Sequence, residues 1–191
     1  MSQHLAIAIT GRKHTGKSTL AEKIARSMKL GKVVIIDPNN SPAYAKHPFV
    51  SFKKLCSLKS GIVRYYETDT NLMFANLMEM LSKKRFNGLI VFEDATKYID
   101  AKPTQIQKAV LVDHRMWNSS LIFTFHAIEF VPRFFWKMLT HVVILKTQDM
   151  MQENYTTYAK RIPNFRAIYA AWNKVMKSNN EFENITIGTL I

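Results

Sequence analysis

One segment constrains the fold of this chain more than any other: Gly11 to Ser18 read G-R-K-H-T-G-K-S. Before it runs Leu5-Ala6-Ile7-Ala8-Ile9-Thr10, a short apolar stretch with strand character. After it, Ser18 to Met28 has the pattern of an amphipathic helix. Strand, glycine loop and helix in that order are the context that turns G-x-x-x-x-G-K-[ST], the Walker A pattern, into a phosphate cradle. The glycines let the backbone curl until its N–H groups point inward at phosphate oxygens. The helix N-terminus behind them adds a partial positive charge. Gly11, Arg12, Lys13, His14, Thr15, Gly16, Lys17, Ser18 and Thr19 are therefore the candidate nucleotide-binding set. Lys17 is expected to reach the β- and γ-phosphates, and Ser18 to place its hydroxyl on Mg²⁺. Arg12, Lys13 and His14 are either solvated at the loop tip or add charge facing a nucleotide or a neighbouring subunit.

The remainder alternates strand and helix patterns. Lys32 to Asp37 is a continuous β-branched run, as expected of a parallel strand buried on both faces. It ends in the turn cluster Asp37-Pro38-Asn39-Asn40-Ser41-Pro42. Ile62 to Glu67 reads as a short strand and Thr70 to Lys84 as a helix. Further strands are expected at Leu89–Asp94, Leu121–His126 and His141–Lys146, with a terminal one at Ile185–Ile187. Helices are expected over Pro103–Trp117, Pro132–Leu139, Gln152–Arg161 and Asn164–Lys177, the last two broken at Pro163. This order predicts an α/β fold: one mainly parallel sheet with helices on both faces. We read 1–191 as a single domain, with a core over about 4–147 and a helical C-terminal extension over about 148–191.

Composition narrows the function. With 47% hydrophobic residues the chain can build a full core. There is no apolar run long enough to span a membrane, and no signal peptide is expected ahead of the first strand. The single Cys56 fits a reducing, cytoplasmic setting and reads as a small packed hydrophobe. The net charge of +13 is either a solubility device or the mark of a polyanionic partner, and nucleic acid leads the candidates.

Glu93 and Asp94 end an apolar strand, at the sheet edge where ligands bind in open α/β folds. Adjacent acids there suit metal orientation by one and activation of an attacking water by the other; a surface acid pair is the alternative. His126 ends the next strand and is a candidate sensor of the γ-phosphate. Arg115, just before that strand, is either a structural or solvated arginine or a finger acting on a neighbour's site.

Four blocks resemble the FtsK–HerA superfamily of DNA-pumping ATPases: G-R-K-H-T-G-K-S-T at 11–19, I-I-D-P-N at 35–39, L-I-V-F-E-D-A at 89–95, and D-H-R-M-W-N-S-S-L-I-F-T-F-H at 113–126. The small size is similar to the genome-packaging ATPases of membrane-containing double-stranded DNA viruses, and to Zot-like assembly ATPases of filamentous phage. The resemblance implies a three-layer, RecA-like (ASCE) P-loop NTPase with the sensor strand lying between the Walker B and Walker A strands. It also implies a homo-oligomeric ring, usually a hexamer, with ATP and Mg²⁺ at subunit interfaces and double-stranded DNA in the channel. Two residues depart from the family pattern. Its usual order is Asp then Glu, whereas Glu93 precedes Asp94 here; by position Glu93 takes the metal and Asp94 the catalysis. Its usual sensor is Gln, and here it is His126.

The expected function is thus an ATP-driven DNA translocase, most simply a viral genome-packaging motor in the host cytoplasm or on the virion, with capsid or portal-vertex proteins as further partners. Lys53, Lys54 and Lys59, or Lys83, Lys84 and Arg85, are candidate DNA grips if they are not merely exposed helix ends. The alternatives are a Zot-like morphogenesis ATPase, a small-molecule or nucleoside kinase, and a nucleotide-regulated binding module.

Overall fold

A computed structural model describes residues 4–84, 86–152 and 156–188. The continuous apolar runs become the centre of one sheet. β1 (Ala6–Thr10), β2 (Lys32–Ile36), β4 (Leu89–Phe92), β5 (Ser120–Phe125) and β6 (His141–Ile144) are buried along nearly their whole length. β3 (Gly61–Tyr65) and β7 (Ile185–Gly188) form the edges. The order is β3-β2-β4-β5-β1-β6-β7. Every pairing is parallel except β6 with β7. β5 therefore lies between β4, which leads into the two acids, and β1, which leads into the glycine loop, as the family resemblance implied.

Alternation along each strand divides the core. In β1, Ile7 and Ile9 point to one face, with Ala21 and Ala25 of α1 (Lys17–Ser27). Ala6 and Ala8 point to the other, which is covered by α3 (Thr70–Lys84), α4 (Gln105–Asp113), α5 (Arg133–Trp136) and α7 (Phe165–Lys177). Two short helices, α2 (Phe52–Cys56) and α6 (Thr156–Arg161), complete the described α-helices. Phe92 stacks on Phe123 with ring centroids 4.6 Å apart, and Phe135 meets Phe123 edge-on at 5.0 Å. These rings pack together just beneath the two acids. Each such fully buried side chain contributes about 1.5–3 kcal/mol through burial.

Most element boundaries shift by a residue or more from the sequence reading, and three of the shifts have a clear local reason. The helix expected from Pro103 begins at Gln105, because Thr104 and Gln107 form a reciprocal capping box. It ends at Asp113 and continues as a 3₁₀ turn over His114–Trp117 that stops at Asn118 in the left-handed region. β6 ends at Ile144 rather than Lys146, since the next backbone groups turn to the glycine loop: Leu145 N–H bonds Thr10 C=O at 2.8 Å, and Arg12 N–H bonds Lys146 C=O at 2.7 Å. Of the helix expected over Gln152–Arg161, residues 153–155 lie outside the described residues. The segment after 147 is not only helical, because its strand β7 closes one sheet edge and Ile185 and Ile187 pack against the core.

Candidate active site

The glycine loop joins the end of β1 to α1 at the C-terminal edge of the sheet. Gly16 caps the helix at φ +85°, a region costly for any residue with a Cβ, and a Cβ there would also lie 3.3 Å from the Phe182 ring. A Cβ on Gly11 would come within 2.7 Å of Thr15 Oγ1. Lys17 is only 7% exposed, and its Nζ donates to the Arg12 carbonyl at 2.8 Å, across the mouth of the loop. Burial lowers the Lys17 pKa, opposed by the negative charge of Glu93 and Asp94. The acids thus oppose the effect of burial on the lysine without reversing it.

The two acids point to different places. Glu93 is buried, and its Oε1 accepts the Ser18 hydroxyl at 2.5 Å. Its Oε2 accepts from Tyr44 at 2.9 Å and from Thr124 at 3.3 Å. Burial raises the Glu93 pKa against the pull of those hydrogen bonds and of Lys17. Asp94 sits at φ 51°, ψ 51°, in the left-handed region that Asp tolerates better than most residues. Its backbone N–H donates to Thr124 Oγ1 at 2.7 Å, which sets the turn. Its carboxylate accepts from Asn39 Nδ2 at 3.0 Å and from Thr96 Oγ1 at 2.8 Å. Burial pushes the Asp94 pKa up, but Asn39, Thr96, His126 and Lys97 together outweigh it and leave the group below its ordinary value. Asp94 is the more strongly ionised of the pair.

His126 closes the arrangement. Its Nε2 is 2.9 Å from Asp94 Oδ1, and its Nδ1 is 3.5 Å from Lys17 Nζ. Burial, together with Lys17 and Lys13, lowers its pKa against the pull of Asp94, which favours the neutral imidazole near neutral pH. The ring spans the gap between the loop lysine and the acid, where a terminal phosphate would lie.

Asp37 organises the opposite wall. It is buried at the end of β2 and accepts from the backbone N–H groups of Asn39 and Ser41 at 3.3 and 3.0 Å. Arg64 clamps the same turn: Nη1 reaches Asp37 at 3.3 Å and Asn40 at 2.6 Å, Nε reaches the His47 carbonyl at 2.7 Å, and the guanidinium lies 4.1 Å over the Phe49 ring. This turn delivers Asn39 to Asp94, and Lys97 also bonds Asn39.

Together Lys13, His14, Lys17, Ser18, Asn39, Glu93, Asp94, Thr96, Lys97 and His126 line a cleft of about 530 Å³. That is an ordinary size for a small-molecule site. Mg²⁺ fits its donor set: Ser18 Oγ and Glu93 Oε1 are adjacent oxygens, and Mg²⁺ takes one or two protein oxygens plus phosphate and water. No cluster of three or more His, Cys, Asp or Glu side chains among the described residues could cage a metal by itself.

Not every candidate converges. Arg115 is exposed in the 3₁₀ turn before β5, at the sheet edge opposite the glycine loop, and does not reach this cleft. Arg12 turns from the cleft to Glu181, with an Nη2–Oε1 distance of 2.8 Å. Lys13 and His14 face the cleft. Lys53, Lys54 and Lys59 are exposed on α2 and the turn before edge strand β3, while the side chains of Lys83 and Lys84, and all of Arg85, lie outside the described residues. Among the described residues no helix is long and apolar enough to cross a membrane. Sequence reasoning missed Asn39, Tyr44 and Thr124 as site residues. Thr124 left a faint signal, a lone hydroxyl in the run Phe123-Thr124-Phe125, and Tyr44 left none.

No family model and no curated protein matches the chain. Solved structures do match over almost its whole length. It is similar to the genome packaging NTPase B204 of Sulfolobus turreted icosahedral virus 2 in complex with AMPPCP, with a TM-score of 0.76 and 17% identity over 97% of this chain and 93% of that one. It is also similar to VirB4 of Thermoanaerobacter pseudethanolicus (TM-score 0.57, 9% identity, 97% and 89% covered). The N-terminal domain of the zonular occludens toxin from Neisseria meningitidis follows at 0.50 and 11% identity, with 78% and 80% covered. The chain therefore has the fold of these proteins, a mainly parallel P-loop NTPase sheet with helices on both faces.

Proposed function

We propose that this chain hydrolyses ATP to move double-stranded DNA, as a viral genome-packaging motor. The observation that carries the hydrolytic part is the division of the two acids: Glu93 on the Ser18 hydroxyl, Asp94 on His126 and open to the cleft. Lys17 and the loop N–H groups hold the phosphates. Ser18 and Glu93 would hold Mg²⁺, which would supply charge neutralisation at the phosphate oxygens. Asp94 accepts the proton of the water that attacks the γ-phosphorus, as the bond to the ADP oxygen breaks and phosphate leaves. His126, with its Nε2–H on Asp94 and its Nδ1 toward Lys17, links the lysine that holds the phosphate to the acid.

The DNA part is supported by the +13 charge and by the shared fold with a genome packaging NTPase. In this reading copies assemble into a ring that grips DNA through Lys53, Lys54 and Lys59 and acts in the host cytoplasm or on the virion. The measurement is hydrolysis with and without double-stranded DNA across salt concentrations. Phosphate contacts numbering six or more lose on the order of 10³-fold in DNA affinity between about 50 and 200 mM salt. Stimulation that fades this steeply is the expected result. A monomer that ignores DNA and phosphorylates a nucleoside would overturn the proposal.

The exposed Arg115, on the edge away from its own cleft, suits a role on a neighbour's nucleotide. Arg115→Ala is expected to lower turnover by about 10³-fold while a single subunit binds ATP as before. Undiminished turnover in the assembled variant rules the finger out.

A further inference from the structure

The phosphate cleft has a neighbour that the hydrolytic reading leaves unused. On the other side of the glycine loop, Thr15, Gly16, Thr19, Leu20, Lys23, Leu145, Phe182 and Asn184 line a second hollow of about 170 Å³, roughly a third the size of the first by the same measure. The two share the loop as a common wall. On the hydrolytic reading, Lys17, Ser18, Asp94 and His126, which line the first cleft, hold the terminal phosphate there. A triphosphate laid along the loop must then leave it over Thr19 and the first turn of α1, the side where the second hollow lies.

That hollow has the chemistry of a flat aromatic ligand. Leu20 and Leu145 give it an apolar floor. The Phe182 ring stands beside Gly16, yet the residue remains 63% exposed, an unusual amount for a phenylalanine in a structured turn. The turn is held in place: Phe182 N–H donates to Asn180 Oδ1 at 3.0 Å, and the preceding Glu181 is bound by Arg12 through Nη2 at 2.8 Å and Nε at 3.2 Å, with Lys146 at 3.7 Å. The loop itself thus anchors the aromatic ring. Asn184 lines the same hollow and gives one Nδ2–H to the Phe182 carbonyl at 3.3 Å, which orients the amide and leaves its Oδ1 to accept.

We infer that the segment from Glu181 to Asn184 seats the adenine base of the nucleotide, with Phe182 stacking on the ring and Asn184 Oδ1 accepting from the exocyclic amine. Guanine presents a carbonyl oxygen where adenine presents that amine, so Asn184 selects against it. This rests on the phosphate-loop reading and adds to it the end of the ligand that the sequence leaves unread. Arg12 then serves neither the phosphates nor a neighbouring subunit. It ties the base seat to the loop, so that both ends of the nucleotide are held by one connected structure.

The test is calorimetric binding of ATP, GTP and inorganic tripolyphosphate, each with Mg²⁺, to the full chain. The intact protein is expected to bind ATP more tightly than GTP or tripolyphosphate. Phe182→Ala, at an exposed position that leaves the core untouched, is expected to weaken ATP by roughly 5- to 150-fold, the range of one base–aromatic stack, with tripolyphosphate unchanged. Phe182→Trp should restore ATP binding, and Asn184→Ala should erase the preference over GTP. An unchanged ATP affinity in Phe182→Ala, or equal losses for ATP and tripolyphosphate, overturns the base seat and leaves the phosphate loop standing. Failure of the intact chain to bind even tripolyphosphate would overturn both.

Discussion

Asp94→Asn is expected to bind ATP as the intact chain does and to turn it over roughly 10²- to 10⁴-fold more slowly, the span of a lost general base. The substitution removes charge with little change of shape. An amide oxygen can still accept from Asn39 Nδ2, and an amide nitrogen can donate to the Thr96 hydroxyl or to neutral His126, the groups that hold the carboxylate now. The fold therefore tolerates the change, and the loss is chemical. Glu93→Gln provides the contrast. Its carboxylate lies against Ser18, Tyr44 and Thr124 and has no direct contact with His126. It should raise the Mg²⁺ concentration needed for turnover. Steady-state rates measured across Mg²⁺ concentrations separate the two. If Glu93→Gln is the variant that binds ATP normally but is dead at saturating Mg²⁺, while Asp94→Asn turns over, the roles are reversed.

A second large effect is expected at Lys17. Lys17→Ala should weaken ATP by at least about 10²-fold, because a charge-assisted contact in a water-poor loop is lost. The apo protein should lose little stability. Burial already opposes the Lys17 charge, and its one backbone partner, the Arg12 carbonyl, lies at the mouth of the loop, where water can replace the ammonium. Thermal unfolding with and without nucleotide reads both halves at once. ATP at 100 times Kd stabilises the intact chain by about 2.7 kcal/mol. The variant should unfold near the apo temperature with or without it, and a retained ATP shift would show that Lys17 does not hold the phosphates.

Much of this site is legible in the amino-acid sequence. Gly11 to Ser18 carries its own geometry, because the two glycines, the lysine and the hydroxyl act on their immediate neighbours. Glu93, Asp94 and His126 can be found because each ends an apolar run, and parallel strands bring their ends to one edge. Asn39 and Tyr44 are not legible. Both lie in an irregular segment whose path depends on Asp37 and on Arg64 from another strand, a contact across 27 positions that no local pattern records. The basic clusters stand out by composition alone, and charge says nothing about which way a lysine faces.

Local rules thus settle the order of strands and helices, the phosphate loop and the sheet edge at which chemistry gathers, since each depends on residues within a turn or two of one another. The proposed division of labour between Glu93 and Asp94 is tertiary. It turns on which carboxylate meets Ser18 and which meets His126, and adjacent side chains on a tight turn point apart. The C-terminal segment is the plainest case. As sequence, it shows helices and a short terminal strand but not where they dock. Folded, it adds an antiparallel strand to the sheet and sets Glu181 and Phe182 against Arg12 and Gly16. The Arg12–Glu181 contact joins residues 169 positions apart. Loop-closure entropy penalises such contacts in the free chain, and only the packed sheet recovers that cost.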